Sequence, residues 1–255
     1  MSDRSAVIKR ELEWHERDAH RRVPLDELIY DPPAFDSVVK PAIAYLGARP
    51  GERVLDIGCG EGKETYELAA RGSCVVSIDL SYQQLSRAQQ RVLENGYHAG
   101  VSFVQANAEA LPFARGTFRI VYGKAIVHHL DGDLFYEELD RVMADEGRAT
   151  FAEPMDRHPL VWLFRRFTPR LRTEDEHPMG VVELEQFARR FGTYEMSVHF
   201  LLSPLAYVLR LLPRGEGMFR KAHAFMQGVD NFLLKRVSML RGLAWYGLVM
   251  LRKDP

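Results

Sequence analysis

The chain has 255 residues, of which 46% are hydrophobic and 27% charged, and its formal net charge is −1. This length is sufficient for one substantial hydrophobic core, so we expect a single domain with additions. Because the net charge is close to zero, the chain lacks the global basic field of nucleic-acid-binding domains, and we expect no nucleic-acid partner.

The compartment is predicted from the cysteines and from the first residues. Cys59 and Cys74 are the two cysteines of the chain, a low number that fits a reducing compartment. The opening residues MSDRSAVIKRELEWHERD lack the apolar core of a signal peptide. No apolar run reaches the ~18 residues that a spanning helix needs. We therefore expect a cytoplasmic protein.

Two helices are predicted before the regular part of the chain. Residues 6–22 carry apolar side chains at spacings of three or four among charges, which indicates an exposed amphipathic helix. The sequence Asp-Pro-Pro at 31–33 ends that segment, and residues 35–46 (FDSVVKPAIAYL) predict a second helix.

From residue 54 onwards, strand and helix patterns alternate. The predicted strands are VLDI, VVSID, VSFVQA, FRIVYG and GRATFAE, and the predicted helices cover residues 61–71, 81–95 and 133–144. Such alternation favours a doubly wound α/β fold, in which helices cover both faces of a parallel sheet.

The pattern changes after Pro154. Residues 155–180 form a long connection rich in Arg, Pro and His, and long connections in compact domains are often functional. A helix at 181–191 and strands at 193–200 and 243–251 follow. Residues 201–240, between those strands, contain two or more apolar helical stretches.

The sequence VLDIGCGEG at residues 54–62 joins the first strand to a helix through a turn with few side chains. A Cβ atom at Gly58 or Gly60 would obstruct a ligand that approaches the backbone closely. The helix begins near Glu61 and Gly62, and its unpaired N–H groups suit a carboxylate or a phosphate. Asp79 ends the second strand, where acids accept hydrogen bonds from ribose hydroxyls in nucleotide-binding sheets.

The glycine spacing is D-x-G-x-G-x-G rather than the G-x-G-x-x-G of dinucleotide-binding proteins. Asp56 would sit badly beside a pyrophosphate, but it is compatible with an ammonium group or a nearby sulfonium. The expected ligand is therefore an adenosine joined to a zwitterionic amino acid. A nicotinamide-dependent oxidoreductase is the alternative class, and it predicts the other spacing.

Five motifs in order, VLDIGCGEG, SIDLS, QANAEALPF, FRIVYGKAIVHHL and FAEP, resemble those of class I S-adenosylmethionine-dependent methyltransferases. The resemblance covers about residues 40–155, and it is most similar to a largely unassigned subset with small-molecule acceptors. It implies a seven-stranded sheet, mostly parallel with an antiparallel last strand, and S-adenosyl-L-methionine as the cofactor.

The resemblance also implies roles for individual residues. Leu80 would cover the adenine, and Asn107 would meet its N6 amine, because an amide oxygen can accept the bond that Asp accepts in many relatives. Lys124 lies where the fourth strand approaches the cofactor. The implied cofactor-binding residues are Asp56, Gly58, Gly60, Gly62, Asp79, Leu80, Asn107, Ala108 and Lys124.

Catalytic candidates follow the fourth and fifth strands. His128 and His129 follow the fourth strand at the edge where ligands bind in such folds, so that one of them could accept a proton. The alternative is that a histidine caps or packs under the loop. Glu153, at the end of the fifth strand, is the next candidate.

A charged stretch in the long connection, RTEDEHP at residues 172–178, gives a further candidate. We expect this loop to close over the acceptor and to bring His177 or Arg172 near it; a solvated connection is the alternative. Consecutive residues rarely point at one centre, so we expect no metal site.

The predicted organisation is one methyltransferase domain over residues 1–255. Residues 1–40 form an N-terminal helical lid, for which Trp14, His15 and Tyr30 are the candidates to cover the cofactor; packing against the sheet edge is the alternative. Residues 41–155 form the cofactor-binding half, and 156–180 and 201–240 are insertions on the substrate side, with the helical cap expected in 201–240.

The insertion at 201–240 is unusually apolar, with basic residues interspersed. It predicts a small or medium hydrophobic acceptor, such as a lipid, an isoprenoid or a secondary metabolite. A homo-oligomer interface or a peripheral membrane contact would also explain the composition. The alternative function is a protein that binds S-adenosylmethionine without methylating, as a sensor or for another reaction.

Overall fold

The computed structural model describes residues 4–18, 32–97, 99–168 and 176–255. Within them, helices and strands alternate as predicted. The strands are β1 (Arg53–Ile57), β2 (Cys74–Asp79), β3 (Val101–Gln105), β4 (Phe118–Lys124), β5 (Met143–Pro154), β6 (Gly192–His199) and β7 (Tyr246–Lys253). The α-helices are α1 (Arg4–Asp18), α2 (Pro32–Leu46), α3 (Lys63–Ala70), α4 (Tyr82–Glu94), α5 (Gly132–Val142), α6 (Pro159–Phe167), α7 (Val181–Arg189) and α8 (Glu216–Arg236). In the described part of the chain, 3₁₀ helices cover Val127–His129, Ser203–Leu211 and Ser238–Leu243.

The seven strands form one sheet in the order β3-β2-β1-β4-β5-β7-β6. Strands β1 to β5 run parallel to one another, and β7 lies antiparallel between β5 and β6. The predicted fold class, a mostly parallel seven-stranded sheet with an antiparallel last strand, is therefore confirmed. The strand order reverses between β1 and β4, and ligands of open α/β sheets bind at such a switch point.

Helices cover both faces of the sheet because the strands are apolar on both sides. Val54 and Ile120 pack in one cluster with α2, whereas the adjacent Leu55 and Val121 pack in the other cluster with α5 and α7. Successive side chains of a strand point to opposite faces, so each apolar strand serves both layers.

The structure adds a helix to the connection at 155–180, where the sequence predicted only a long loop. Helix α6 begins after His158, whose Nδ1 accepts a hydrogen bond from the backbone N–H of Val161 at 3.3 Å, and Pro159 occupies the first turn. A side-chain cap followed by proline is a normal helix start. The described part of the chain contains no helix that is both long and apolar enough to cross a membrane.

Candidate functional site

Three glycines shape the turn after β1, two because a side chain would clash with neighbouring residues and one because it leaves the backbone open. All have positive φ, at 67° for Gly58, 49° for Gly60 and 73° for Gly62. A Cβ at Gly58 would lie 2.7 Å from Ile126, and one at Gly62 would lie 2.7 Å from Ala88 of α4. A Cβ at Gly60 would meet no atom of the described residues within 4 Å, its two chain neighbours aside. Gly60 therefore leaves open space beside bare backbone, as a closely seated ligand requires.

Asp79 is tied to this turn at the end of β2. Its Oδ2 accepts a hydrogen bond from the N–H of Gly60 at 2.9 Å, and its Oδ1 accepts one from Ser81 at 2.9 Å. Burial raises the pKa of this carboxyl, and the two backbone donors oppose the rise. A carboxylate has about four lone-pair positions, so both oxygens can accept further bonds from a ligand.

Asp56 lies deeper, at the end of β1, and is 2% exposed. Its Oδ2 accepts hydrogen bonds from Thr65 Oγ1 at 2.5 Å and from Ser77 Oγ at 3.4 Å. Burial raises the pKa of Asp56 to about 7, although the Thr65 bond opposes this. The Asp56 carboxyl therefore gains or loses its proton near neutral pH. A cationic group beside it would favour the ionised form.

These groups line one cavity of about 550 Å³ at the carboxyl ends of the parallel strands. Eight of the nine predicted cofactor-binding residues line it: Asp56, Gly58, Gly60, Asp79, Leu80, Asn107, Ala108 and Lys124. Gly62 is not among the lining residues, because it packs on α4. Lys124 forms an ion pair with Glu64 of α3, and Asn107 Oδ1 accepts a hydrogen bond from the N–H of Glu109 at 3.0 Å.

Tyr122 also lines the cavity, and the sequence analysis missed it. Its side chain is 1% exposed, and its hydroxyl has no hydrogen-bond partner among the described residues. Burial raises the pKa of this phenol well above its usual range, so it stays a donor. The signal was the strand period of two, which places Tyr122 on the same side of β4 as Lys124.

Of the four catalytic candidates, His129 alone lines this cavity. Its Nδ1 lies 3.1 Å from Oε2 of Glu11, a buried residue of α1, and His15 Nε2 lies 3.6 Å from the same oxygen. Burial lowers the pKa of His129, and the neighbouring His128 lowers it further. A neutral imidazole at the cleft can accept a proton.

Glu11, His15 and His129 also offer donor atoms within 4.8 Å of one another, a spacing that a divalent cation could bridge. The His128 ring lies 4.1 Å from the His129 ring, centroid to centroid. Because His128 is protonated at neutral pH, its charge opposes a cation at this place. The expectation of no metal therefore stands as a prediction.

His128 is buried behind the cleft between two carboxylates. Its Nδ1 lies 2.7 Å from Glu153 Oε2 and its Nε2 lies 3.4 Å from Glu176 Oε1. Burial alone would lower the pKa of His128, but the two glutamates raise it to about 9. Arg165 of α6 contacts Glu176 at 2.9 Å, and the charged histidine and arginine lower the pKa of Glu176 to about 2 although burial opposes this. The network fastens the connection after β5 to the loop after β4.

Glu153 and His177 form hydrogen bonds with backbone groups of the loop after β4. Glu153 is fully buried, and its Oε1 accepts hydrogen bonds from the N–H groups of Ile126 and Val127, both at 3.0 Å. The N–H of His177 donates to the carbonyl of His128 at 2.9 Å, while the His177 side chain is exposed. Neither side chain lines the cavity. Arg172 lies outside the described residues.

Helix α1 closes one side of the cavity. Arg4 forms an ion pair with Glu109 and also donates to the carbonyl of His129 at 3.3 Å. Arg4, Ile8, Glu11 and His15 all line the cavity. The sequence predicted a covering helix here but did not single out Arg4, Glu11 or Glu109, because such partners become adjacent only in the fold. Trp14 contacts His15 edge to face, and Tyr30 lies outside the described residues.

The fold and this cleft together define a Rossmann-like nucleoside-binding α/β protein, with an acid at the end of β2 and a glycine turn after β1. Residues 54–147 match the methyltransferase domain family. Residues 54–147 therefore form a methyltransferase domain, and the resemblance of the motifs to class I S-adenosylmethionine-dependent methyltransferases is confirmed.

Among curated proteins, the methyltransferase GfsG of Streptomyces halstedii is 35% identical over 117 residues, which are 45% of this chain and 42% of that protein. The chain spans less than half the length of the curated relatives that it matches.

Solved structures share the fold at low identity. Phosphoethanolamine N-methyltransferase 2 of Haemonchus contortus has a TM-score of 0.62 at 18% identity, covering 91% of this chain and 59% of that one. Geranyl diphosphate C-methyltransferase of Streptomyces coelicolor has a TM-score of 0.59 at 18% identity, covering 84% and 74%. The [4+2]-cyclase SpnF has a TM-score of 0.58 at 18% identity, covering 86% and 80%.

Proposed function

We propose that this protein transfers the methyl group of S-adenosylmethionine to a small or medium, hydrophobic acceptor. The observation that carries the proposal is the open backbone at Gly60 beside the Asp79 carboxylate, within a cavity of about 550 Å³. That volume lies within the range of sites that enclose a ligand of nucleoside size.

In this proposal the two acids have separate tasks. Asp79 accepts hydrogen bonds from the two ribose hydroxyls, and Leu80, Asn107 and Ala108 surround the adenine. Asp56 faces the positive end of the cofactor. Bound there, S-adenosylmethionine supplies a methyl group already activated by the sulfonium, so the protein must mainly align the acceptor and exclude water.

A second cavity supports a place for the acceptor. It measures about 260 Å³ and is lined by Phe35, Tyr66 and Tyr246, together with Lys124 and Glu64. Lys124 and Glu64 also line the first cavity, so their ion pair stands between the two spaces. Asp79 and Asn107 do not line the second cavity. Seven of its eleven lining residues are polar or charged, and three are aromatic. Such a wall beside the cofactor space suits a compact acceptor that combines an apolar body with a polar or charged group.

His129 is our candidate proton acceptor, because it lines the cleft and its pKa is lowered by burial. Glu11, 3.1 Å from its Nδ1, would stabilise the imidazolium that forms. His128, Glu153 and His177 then act as positioning residues for the loop that carries His129. Tyr122 supplies a further hydrogen-bond donor in the cleft.

The relatives give partial support for the acceptor class. A protein that shares the fold is named for methylating geranyl diphosphate, an isoprenoid, and another is named for phosphoethanolamine. These acceptors differ in polarity but are all small. They therefore support a small molecule more strongly than a hydrophobic one.

The test is incubation of the purified chain with methyl-labelled S-adenosylmethionine and a small-molecule extract. Label in an extractable organic product, dependent on the protein, would support the proposal. Asp79→Ala should abolish this label. Label in protein or nucleic acid, or no transfer in any extract although the cofactor binds, would contradict it.

A non-methylating use of the cofactor is the second candidate. The observation that favours it is SpnF, a protein with this fold that is named as a cyclase. It predicts binding of S-adenosylmethionine in the same cleft without release of S-adenosylhomocysteine. Measurement of S-adenosylhomocysteine in the same incubations distinguishes the two functions.

A further inference from the structure

The long helix α8 exposes a regular row of apolar side chains. Met218, Phe225 and Phe232 are 53%, 74% and 59% exposed, and they are spaced by seven residues. Seven residues are almost two turns of an α-helix, so the three side chains lie on one line. The opposite side of α8 is buried against the protein.

The preceding 3₁₀ helix, Ser203–Leu211, exposes a second row. Leu205, Val208 and Leu211 are 45%, 63% and 72% exposed. A 3₁₀ helix has three residues per turn, so side chains three apart lie above one another. The two helices pack against each other. We call their exposed apolar side chains the outer face: Leu205, Val208, Leu211, Leu212, Met218, Phe225 and Phe232, continued by Met239.

The outer face is separate from the cleft. No residue of 201–240 lines either of the two cavities described above. The prediction that this segment caps a hydrophobic acceptor therefore gains no support from those cavities. Its composition needs another explanation, because monomeric proteins rarely expose apolar surface in continuous rows.

Positive charge accompanies the outer face. Residues 201–243 contain seven basic and two acidic side chains, in a chain whose total charge is −1. Of the two acids, Asp230 is buried and accepts hydrogen bonds from the N–H groups of residues 201–203. Glu216 is already paired with Arg210 and Arg220. The remaining basic residues are Arg214, Lys221, Lys235, Arg236 and Arg241.

Two of these lysines border the aromatic row. Lys221 lies four residues before Phe225 and Lys235 lies three after Phe232, so both stand on the same side of α8 as the row. Both are exposed, and no acidic side chain of the described residues forms an ion pair with them. Arg236 lies over the Phe232 ring at 5.2 Å.

The positive charge distinguishes between two partners that could cover the outer face, a second copy of the chain and an anionic membrane surface. A symmetric pairing of two copies would bring the same basic residues face to face, with both segment acids already engaged, and like charges oppose such an interface. An anionic lipid surface would accept the aromatic side chains below its headgroups and attract the basic residues around them.

We propose that the outer face of α8 and the preceding 3₁₀ helix docks this protein on an anionic membrane surface. Phe225 and Phe232 enter the boundary between headgroups and acyl chains, and Lys221 and Lys235 contact lipid phosphates. The proposal goes beyond methyl transfer and does not depend on it, since neither row belongs to the cleft.

The test is co-sedimentation of the full chain with vesicles of phosphatidylcholine alone and of phosphatidylcholine mixed with phosphatidylglycerol. We expect binding to the mixed vesicles to exceed binding to the neutral ones by about tenfold or more, and to weaken as salt is raised. Analytical ultracentrifugation without lipid should show a monomer.

Two variants test the two components. Phe225→Ser with Phe232→Ser removes the aromatic row, and Lys221→Glu with Lys235→Glu reverses the adjacent charge; each should reduce binding by about tenfold or more. All four side chains are exposed, so the fold should remain intact, which thermal melting and S-adenosylhomocysteine binding would verify. Val182→Ser and Arg115→Glu are matched controls, exposed at other places in the fold, and should bind as the unchanged protein does.

Three results would overturn the proposal. One is equal or absent binding to the two vesicle types. A second is binding that both paired variants retain. A third is a lipid-free dimer that the Phe225→Ser, Phe232→Ser variant breaks, because the outer face would then be covered by a second copy of the chain.

Discussion

The acidic residues of the cleft differ in the partners that stabilise their negative charge. Asp56 has a pKa of about 7 because it is buried, whereas Asp79 receives two backbone donors and Glu64 is paired with Lys124. Asp56 therefore has neutral hydrogen-bond partners, Thr65 and Ser77, and no fixed counter-charge among the described residues. A ligand with a positive group would supply one, which fits a sulfonium or an ammonium better than a phosphate.

Asp79→Asn is expected to weaken S-adenosylhomocysteine binding by about tenfold or more. The amide retains one acceptor oxygen but loses the charge, and hydrogen bonds to charged groups contribute about 1.5–3 kcal/mol. Isothermal titration calorimetry measures the change. Asp145 is an exposed acid near the amino end of β5, at the opposite end of the strands from the cleft. Asp145→Asn should therefore leave the affinity unchanged. Equal affinities for both variants would mean that Asp79 does not bind the ligand.

His129→Gln is expected to reduce turnover at least about tenfold with cofactor affinity retained, because the cleft loses its proton acceptor. Glu11→Gln should reduce turnover less and move the pH profile, since the imidazolium loses its partner. Both are measured with the acceptor found in the labelled extract. Unchanged turnover in His129→Gln would remove this residue from the mechanism.

Among the elements, α1 has the most specific link to the cleft. Arg4 contacts Glu109, and Glu109 in turn accepts a hydrogen bond from the N–H of Asp131 at 2.7 Å, where α5 begins. The first turn of α1 is thus tied to the loops after β3 and β4. The N-terminal lid stays a prediction, in which departure of this helix would open one wall of the cavity.

Arg4→Ala and Glu109→Ala should each weaken S-adenosylhomocysteine binding about three- to tenfold, because each releases α1 from the cleft. The double variant should be no weaker than the worse single one, since both remove the same ion pair. Lys9→Ala changes an exposed residue of the same helix and serves as the control. Additive losses, or no loss in either single variant, would contradict the lid.

Helices and strands were easier to predict from the sequence than the contacts between residues that are distant in sequence. Strand β2 and the glycine turn could be predicted from local sequence. A buried strand appears as a short apolar run, and a turn without side chains appears as closely spaced glycines. Helix α6 was missed, since its apolar residues stand in a connection rich in Arg and Pro. The Glu11–His129 and Arg4–Glu109 contacts join residues more than a hundred positions apart, and no local period reports such pairs.

For the whole molecule, the seven-stranded sheet with an antiparallel last strand followed from the family resemblance. Periodicity does not report the order of strands, which comes from the structure. His128 and His129 are adjacent in sequence but have different surroundings in the fold. His128 belongs to a buried network, and His129 lines the cleft. Sequence placed both at the right edge of the sheet but could not tell which one faces the cavity.

The buried network around His128 predicts a pH dependence of stability. The folded-state pKa of His128 is raised from 6.5 to about 9, so its contribution is complete below pH 6.5 and is lost as the pH rises through about 9. Thermal melting should show a steeper fall of Tm over this interval for the unchanged protein than for His128→Gln, by about 2–4 °C for each kcal/mol lost. His177→Gln, an exposed histidine, should follow the unchanged protein. Parallel curves for all three would show that His128 is not held as a cation.

The position of β7 between β5 and β6 has a consequence for biosynthesis. Among the described strands, β6 joins the sheet through β7 alone, yet β7 is translated after both β6 and α8. Until Tyr246–Lys253 emerges, β6 exposes unpaired backbone groups on both edges, and β5 lacks a neighbour on one side. The nascent chain therefore carries three open strand edges while α8 is being translated, and such unpaired edges favour aggregation during that interval.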